Sequence, residues 1–292
     1  MVLFLIGLGL GSPEDITLRG LKALKKCQHI FLEAYTSRLP QELQALEKEW
    51  DLPENSIQEA WREDVEQHCE EKILEPAKDE NVALMVVGDP FGATTHTDIV
   101  VRAREMGIKV EVIHNVTIMS AVACCGLQLY RFGQTVSIPF FEDNWKPTSF
   151  YEKTAENFKI GLQTLCLLDI KTREQTVENL MRGNDIFEPP RFMTVNQAID
   201  QFLEAEKELG LGVIDEKNTL CVGLARVGQV DEQIAYGTFE AVRKVDFGRE
   251  LHSFIVIAGE DSMDEIEKEF LEHYRVGEKV EQVKEENDEG EE

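Results

Sequence analysis

Two apolar stretches do most to limit the fold. They are VLFLIGL, from Val2, and NVALMVVG, from Asn81. Uninterrupted runs of this kind suit strands buried on both faces, as in a parallel sheet covered by helices. Each run breaks off into glycines: Gly7, Gly9 and Gly11 after the first, Gly88 and Gly92 around Asp89-Pro90 after the second. A plain turn needs one breaker. A second glycine implies that the backbone comes close to something. Both loops follow central strands, so they are expected on one edge of the sheet, at the carboxyl ends where open α/β sheets bind ligands.

The elements between these runs alternate. Leu18, Leu21 and Leu24 recur at helical spacing, with Asp15 or Thr17 as cap. HIFLEA reads as a strand and LPQELQALEKEW as a helix. In REDVEQHCEEKILEPA, Val65, Cys69 and Ile73 share one helical face. HTDIVVRAREMG is a helix closed by Gly107, and KVEVIHN a further strand. This predicts a doubly wound, mostly parallel sheet for an N-terminal α/β domain, residues 1–117. Beyond it the rhythm changes. IMSAVACCGLQLY reads as a helix bridging the halves. TVSIPF, QTLCLLDI, NTLCVGLARVG and LHSFIVIAG read as strands, and TVNQAIDQFLEAEKELG and DSMDEIEKEFLEHY as helices. A C-terminal mixed α/β domain is expected over residues 118–276, completing the ligand cleft. The end, 277–292, is mostly charged with no large aromatic, and an acidic disordered tail is expected there.

At 292 residues the chain suits two domains of ordinary size. Its net charge of −26 disfavours nucleic acid and anionic membrane surfaces as direct partners. No run approaches a membrane span, and the short apolar N-terminus lacks the basic leader of a signal peptide. Cys27, Cys69, Cys124, Cys125, Cys166 and Cys221 form no C-x-x-C pair. Reduced, mostly buried thiols of a cytoplasmic protein fit better than a disulfide framework or a zinc site.

The first glycine loop, Gly7-Leu8-Gly9-Leu10-Gly11, departs from G-x-G-x-x-G, because its third glycine comes one position early. There is no Walker lysine, and Glu33 is the nearest candidate for a ribose contact. Asp89 is a site residue, a turn residue or a helix cap. Thr117 caps the following helix, meets ligand in the same crevice, or both. Leu167 and Leu168 end one strand, and Ala225 to Gly228 follow another. His252 heads a strand, where a lone histidine is either a partly buried core residue or a site residue.

Taken in order, LIGLGLGSPEDIT, LEAYTS, VVGDPFGATTH, CCGLQLY, TLCLLDIK, EPPRFMTVNQA, CVGLARVG and LHSFIV carry a resemblance. The chain resembles the diphthine synthases of the eukaryotic type, or diphthine methyl ester synthases, of the tetrapyrrole methylase superfamily. The likeness runs from Met1 to about Gly259. GDPFG alone gives the superfamily; EAYTS, CCGLQLY and EPPR narrow it. The resemblance implies a two-domain tetrapyrrole methylase-like fold and S-adenosyl-L-methionine as cofactor. It places cofactor contacts at Leu10, Asp89, Gly92, Thr117, Ile118, Leu168, Val227 and His252, with no metal and no assigned catalytic residue. The family often has serine where this chain has Thr117, and the hydroxyl survives.

The same resemblance implies a substrate, translation elongation factor 2 whose histidine bears a 3-amino-3-carboxypropyl group, and a homodimer. Three methyls would go to the amine and one to the carboxylate as an ester, ahead of amidation to diphthamide. Two rivals are a methylase acting on a tetrapyrrole and a non-enzymatic nucleotide-binding or scaffold protein. A tetrapyrrole's carboxylates call for basic residues near the cofactor loop. After GDPFG none occurs until Arg102. A scaffold would need only the first glycine loop.

Overall fold

The computed structural model describes residues 1–277 apart from Arg38 and Pro40, so positions 278–292 of the expected tail lie outside the described residues. The first sheet contains β1 (Val2–Gly7), β2 (His29–Glu33), β3 (Ile57–Ala60), β4 (Val82–Val86) and β5 (Lys109–Ile113). Its order is β3-β2-β4-β1-β5 and every pairing is parallel. Side chains alternate across β1 and β4, so two cores form. Leu3, Leu5, Val82 and Leu84 pack on one face. Phe4, Ile6, Ala83 and Met85 pack on the other. Burial on both faces is what a continuous apolar run requires. Thr17 is the cap that the first helix uses, its hydroxyl accepting from Gly20 N at 3.0 Å.

One strand of this sheet was not foreseen in the sequence, and one helix needs correction. IQEA forms the edge strand β3, which its two exposed polar residues conceal. Val65, Cys69 and Ile73 are all buried, but Glu63–Gln67 and Glu70–Leu74 are π-helical turns rather than one α-helix. His68 N donates to Glu63 O at 2.8 Å, a five-residue step. A hydrophobic spacing of four drifts off the face of a 3.6-residue helix, and a wider turn keeps it aligned.

The second sheet takes β6 (Val136–Ile138) and β7 (Thr164–Leu168) first. A separate two-stranded ribbon follows, β8 (Ile170–Lys171) with β9 (Arg191–Phe192). Then come β10 (Leu220–Ala225), β11 (Gln233–Thr238) and β12 (His252–Val256). The order is β11-β10-β12-β7-β6. Only β6 with β7 is parallel, so the sheet is mixed. The helix Val195–Leu209 covers it, starting in a capping box between Thr194 and Gln197 and ending at Gly210 with φ 61°. Phe202 from this helix meets the Phe150 ring at 5.0 Å and the Phe239 and Phe254 rings at 6.0 Å each. IMSAVACCGLQLY is not one helix: it is a short turn of α-helix at Ile118–Ala121, a tighter 3-10 turn at Val122–Cys125, and a left-handed stop at Gly126. All six cysteines are free thiols, four of them buried. Among the described residues no helix is long and apolar enough to cross a membrane.

Candidate functional site

The loops after β1 and β4 lie side by side. Gly9 N donates to Gly88 O at 3.2 Å and Gly88 N to Gly9 O at 2.7 Å. Both glycines have positive φ, 80° and 82°. The first loop also touches the second sheet. A Cβ on Gly11 would stand 2.6 Å from the carbonyl carbon of Gly228 and closer still to its oxygen. The backbone approach foreseen from the glycines is therefore partly chain against chain.

The carboxyl edge of the first sheet and the neighbouring edge of the second enclose a cavity of about 570 Å³. Seven of the eight residues singled out in the sequence line it: Leu10, Gly92, Thr117, Ile118, Leu168, Val227 and His252. Asp89 is the exception. It is buried, and its carboxylate faces protein. Oδ1 accepts from Phe91 N at 2.9 Å, while Oδ2 accepts from Asn115 N at 3.0 Å and from His114 Nδ1 at 2.9 Å. Burial pushes the Asp89 carboxyl up, but these hydrogen bonds outweigh it and hold the group below the usual aspartate range. Asp89 thus ties the loop after β4 to the loop after β5.

Gly92 has a second reason to be glycine. A Cβ there would fall on the Thr117 side chain, 2.7 Å from its Cβ and closer to its hydroxyl. Thr117 N-caps the turn Ile118–Ala121 and also lines the cavity, so both readings of it apply.

His252 is half buried, and both ring nitrogens are engaged. Nδ1 accepts from Val195 N at 3.3 Å, and Nε2 donates to Arg249 O at 2.9 Å. Burial lowers its pKa from the ordinary histidine value. A neutral ring with no free nitrogen shapes the wall and does not move protons. Glu33 does not line the cavity. It is buried, accepting from Tyr35 N at 2.8 Å, Thr36 N at 2.7 Å and the Thr36 hydroxyl at 2.5 Å. The expected ribose contact has no free oxygen there to serve it.

The cavity also holds residues that sequence reasoning passed over. Tyr35, Thr36 and Ser37 follow β2, and Arg62 follows β3. Their signal was their place at strand ends on the same sheet edge. Arg226 lines the wall too, at φ 52°. Its guanidinium donates to Phe247 O and Arg249 O at 2.6 Å each and pairs with Asp231 at 2.9 Å. The expected lack of basic residues near the cofactor loop therefore fails. Distance along the chain is a poor guide to distance across a parallel sheet, whose strand ends converge.

The sequence pattern of the Tetrapyrrole (Corrin/Porphyrin) Methylases matches residues 2–242. The diphthine methyl ester synthase of Dictyostelium discoideum is 52% identical over 278 residues, covering 94% of this chain and 99% of that protein. The chain belongs to the diphthine methyl ester synthase family. The Homo sapiens diphthine methyl ester synthase is 49% identical over 280 residues, covering 95% of this chain and 96% of its own. A crystal structure of the putative diphthine synthase from Entamoeba histolytica superposes with a TM-score of 0.82 at 45% identity, over 95% of this chain and 99% of that one. Membership in the diphthine methyl ester synthase family makes this chain an S-adenosylmethionine-dependent methyltransferase with a tetrapyrrole methylase-like α/β fold.

The cavity fits the cofactor of such a family. Its volume lies in the range of small-molecule sites, roughly 300–1,000 Å³. Leu10, Ile118, Leu168 and Val227 give it apolar walls, and the Thr117 hydroxyl and the backbone of the glycine loops give it polar points.

Proposed function

We propose that this chain methylates the 3-amino-3-carboxypropyl-modified histidine of translation elongation factor 2. The amine would receive three methyls and the carboxylate one, as an ester. The observation that carries the reading is the cavity where the two sheets meet, lined by seven residues expected to hold S-adenosyl-L-methionine. The names of the relatives, diphthine methyl ester synthase, support the substrate. In this reading residues 1–117 and 118–276 are the two halves of the cleft, with Asp89 acting through the loops it joins. The chain works as a homodimer in the cytoplasm, with no metal, nucleic acid or membrane partner.

When bound, S-adenosylmethionine supplies an activated methyl on a sulfonium. The chain's task is to align and to exclude water. Leu10, Ile118, Leu168 and Val227 give the cofactor end of the cavity apolar surface, while Asp169, Ser137 and Arg62 line it with polar groups elsewhere. The apolar end disfavours the charged form of an entering amine and so favours the neutral nucleophile. A carboxylate needs no proton removed before it attacks. Alignment then supplies most of the rate. Neither step calls for a base, which agrees with His252 having both nitrogens committed.

The test gives the chain S-adenosylmethionine and elongation factor 2 carrying the aminocarboxypropyl histidine, and measures peptide masses before and after mild alkali. Four methyls, one of them base-labile, are expected. A product with no base-labile methyl would remove the ester step. Equal methylation of the unmodified factor would remove the substrate.

A further inference from the structure

We infer that Arg62 binds the carboxylate of the substrate's aminocarboxypropyl side chain at the mouth of the cavity while the amine is methylated, and releases it for the ester step. The assignment rests on the substrate reading above and adds to it a recognition residue. The cofactor residues cluster at one end of the cavity, in the loops after β1, β4 and β5 and on the facing sheet. Arg62 follows β3, the far edge of the order β3-β2-β4-β1-β5. At about 4.8 Å per strand, β3 stands roughly 14 Å from β1. An in-line transfer needs its nucleophile on the side of the methyl away from the sulfur, so the substrate enters from the end that the cofactor leaves open.

Two arginines line the cavity, and they differ in what they have left to give. Arg226 is held by backbone carbonyls and Asp231 through Nε and both terminal nitrogens. Among the described residues no carboxylate lies within ion-pair distance of Arg62. That is notable in a chain of net charge −26. Its guanidinium sits over the Tyr35 ring, 5.2 Å from the centroid. A cation over a ring face is held there while its N–H groups remain available to a carboxylate.

The platform is itself fixed. Glu33 anchors the Tyr35 and Thr36 amides, and the His96 ring stands 6.5 Å from the Tyr35 ring on an edge. On the other side Trp61 N donates to Asp64 Oδ2 at 2.9 Å, and Arg173 stacks on Trp61 at 5.3 Å. Arg62 is exposed, which suits a residue that must meet a side chain arriving on a folded protein.

S-adenosylmethionine carries an α-amino carboxylate of its own, so the test must separate the two sources. Arg62→Ala and Arg62→Lys are assayed on the modified factor and on a factor whose side chain carries a primary amide in place of the carboxylate. Affinity for S-adenosylhomocysteine is measured by calorimetry. The unaltered chain should favour acid over amide. Arg62→Ala should raise KM for the acid substrate by on the order of 10- to 100-fold. It should erase the preference over the amide and leave kcat for amine methylation and S-adenosylhomocysteine affinity within about twofold. Arg62→Lys should recover part of the preference, as a point charge without the fork. Retention of the acid preference in Arg62→Ala would overturn the assignment. So would a loss of S-adenosylhomocysteine affinity with KM for the factor unchanged, which would give Arg62 to the cofactor's carboxylate. Inactivity of the unaltered chain on the modified factor would overturn the substrate reading itself, and the assignment with it.

Discussion

Asp89 Oδ2 accepts the amide proton of Asn115 at 3.0 Å, across two loops that leave the sheet from different strands. Asn115 in turn donates its side-chain amide to Gly7 O at 3.0 Å and to Asp15 O at 2.9 Å. One carboxylate and one carboxamide thus join the loops after β1, β4 and β5. The lining residues Leu10, Gly92 and Thr117 each sit on one of these loops. The geometry of the cofactor end depends on a pair of residues that need not touch the cofactor.

Replacing Asp89 by Asn should therefore act on stability and affinity together. The variant keeps one acceptor oxygen and loses the other, and the amide cannot accept from Asn115. A loss of about 1–3 kcal/mol in urea unfolding is expected at neutral pH. S-adenosylhomocysteine affinity should fall with it. The pH dependence has a definite sign. The folded pKa of Asp89 is lowered, so its contribution is complete above the unfolded value of about 3.9 and is lost as pH falls through the folded pKa. The stability gap between the two proteins should narrow below about pH 4. A gap that stays constant into acid would show that the charge on Asp89 is not what holds the loops.

Gly92→Ala should lower stability as well as cofactor affinity, since the new methyl meets Thr117 before it meets any ligand. Overpacking of this kind costs about 1–3 kcal/mol. Thr117→Ala in the same chain should return part of the stability by removing the hydroxyl and methyl. If Gly92→Ala is as stable as the parent and only affinity falls, the glycine answers to the cofactor alone.

Much of the fold is plain in the sequence because burial on two faces leaves no room for polar residues. β1 and β4 show this directly. Two of the four edge strands, β3 and β11, are not plain, for the same reason in reverse. β3 reads IQEA and β11 reads QIAYGT, and neither has a pattern that separates it from a loop. Seven of the eight residues expected at the cofactor meet at one cavity because they lie at or next to the ends of strong strands. Arg62 was passed over because β3 was not recognised, so nothing placed its loop on the cavity; Tyr35 follows β2, which was read as a strand, but that loop carries no glycine cluster to mark it. Gly92 was legible as a close approach, but the partner in that approach, Thr117, is supplied only by folding.

His252→Asn should leave the pH profile of methyl transfer unchanged, because the native ring has no free nitrogen with which to take a proton. Stability should respond instead. The folded pKa of His252 is depressed below the ordinary value of about 6.5, chiefly by burial. Between those two values the unfolded chain binds more protons, so stability is full above about pH 6.5 and declines as pH falls toward the folded pKa. His252→Asn should remove that part of the slope in a chemical-denaturation series. A kinetic pKa that vanishes in the variant would instead make His252 a participant in proton transfer.

Ionic strength distinguishes an encounter between proteins from the binding of a small cofactor. The chain carries 56 acidic against 30 basic residues. Its field extends about 10 Å at 0.1 M salt and about 3 Å at 1 M. A protein substrate with positive charge around its modified histidine is drawn toward such a surface, and the same salt that shortens the field slows the encounter. kcat/KM for the modified factor should therefore fall, by on the order of tenfold between 0.05 and 0.5 M salt. kcat should hold nearly steady, because the groups that align the reaction are enclosed and weakly screened. S-adenosylhomocysteine affinity should change little, since the residues proposed to hold it line an enclosed cavity. A kcat/KM that rises with salt would mean that the two proteins repel at the approach. The acidic surface would then be a barrier that the apolar and Arg62 contacts at the mouth must overcome.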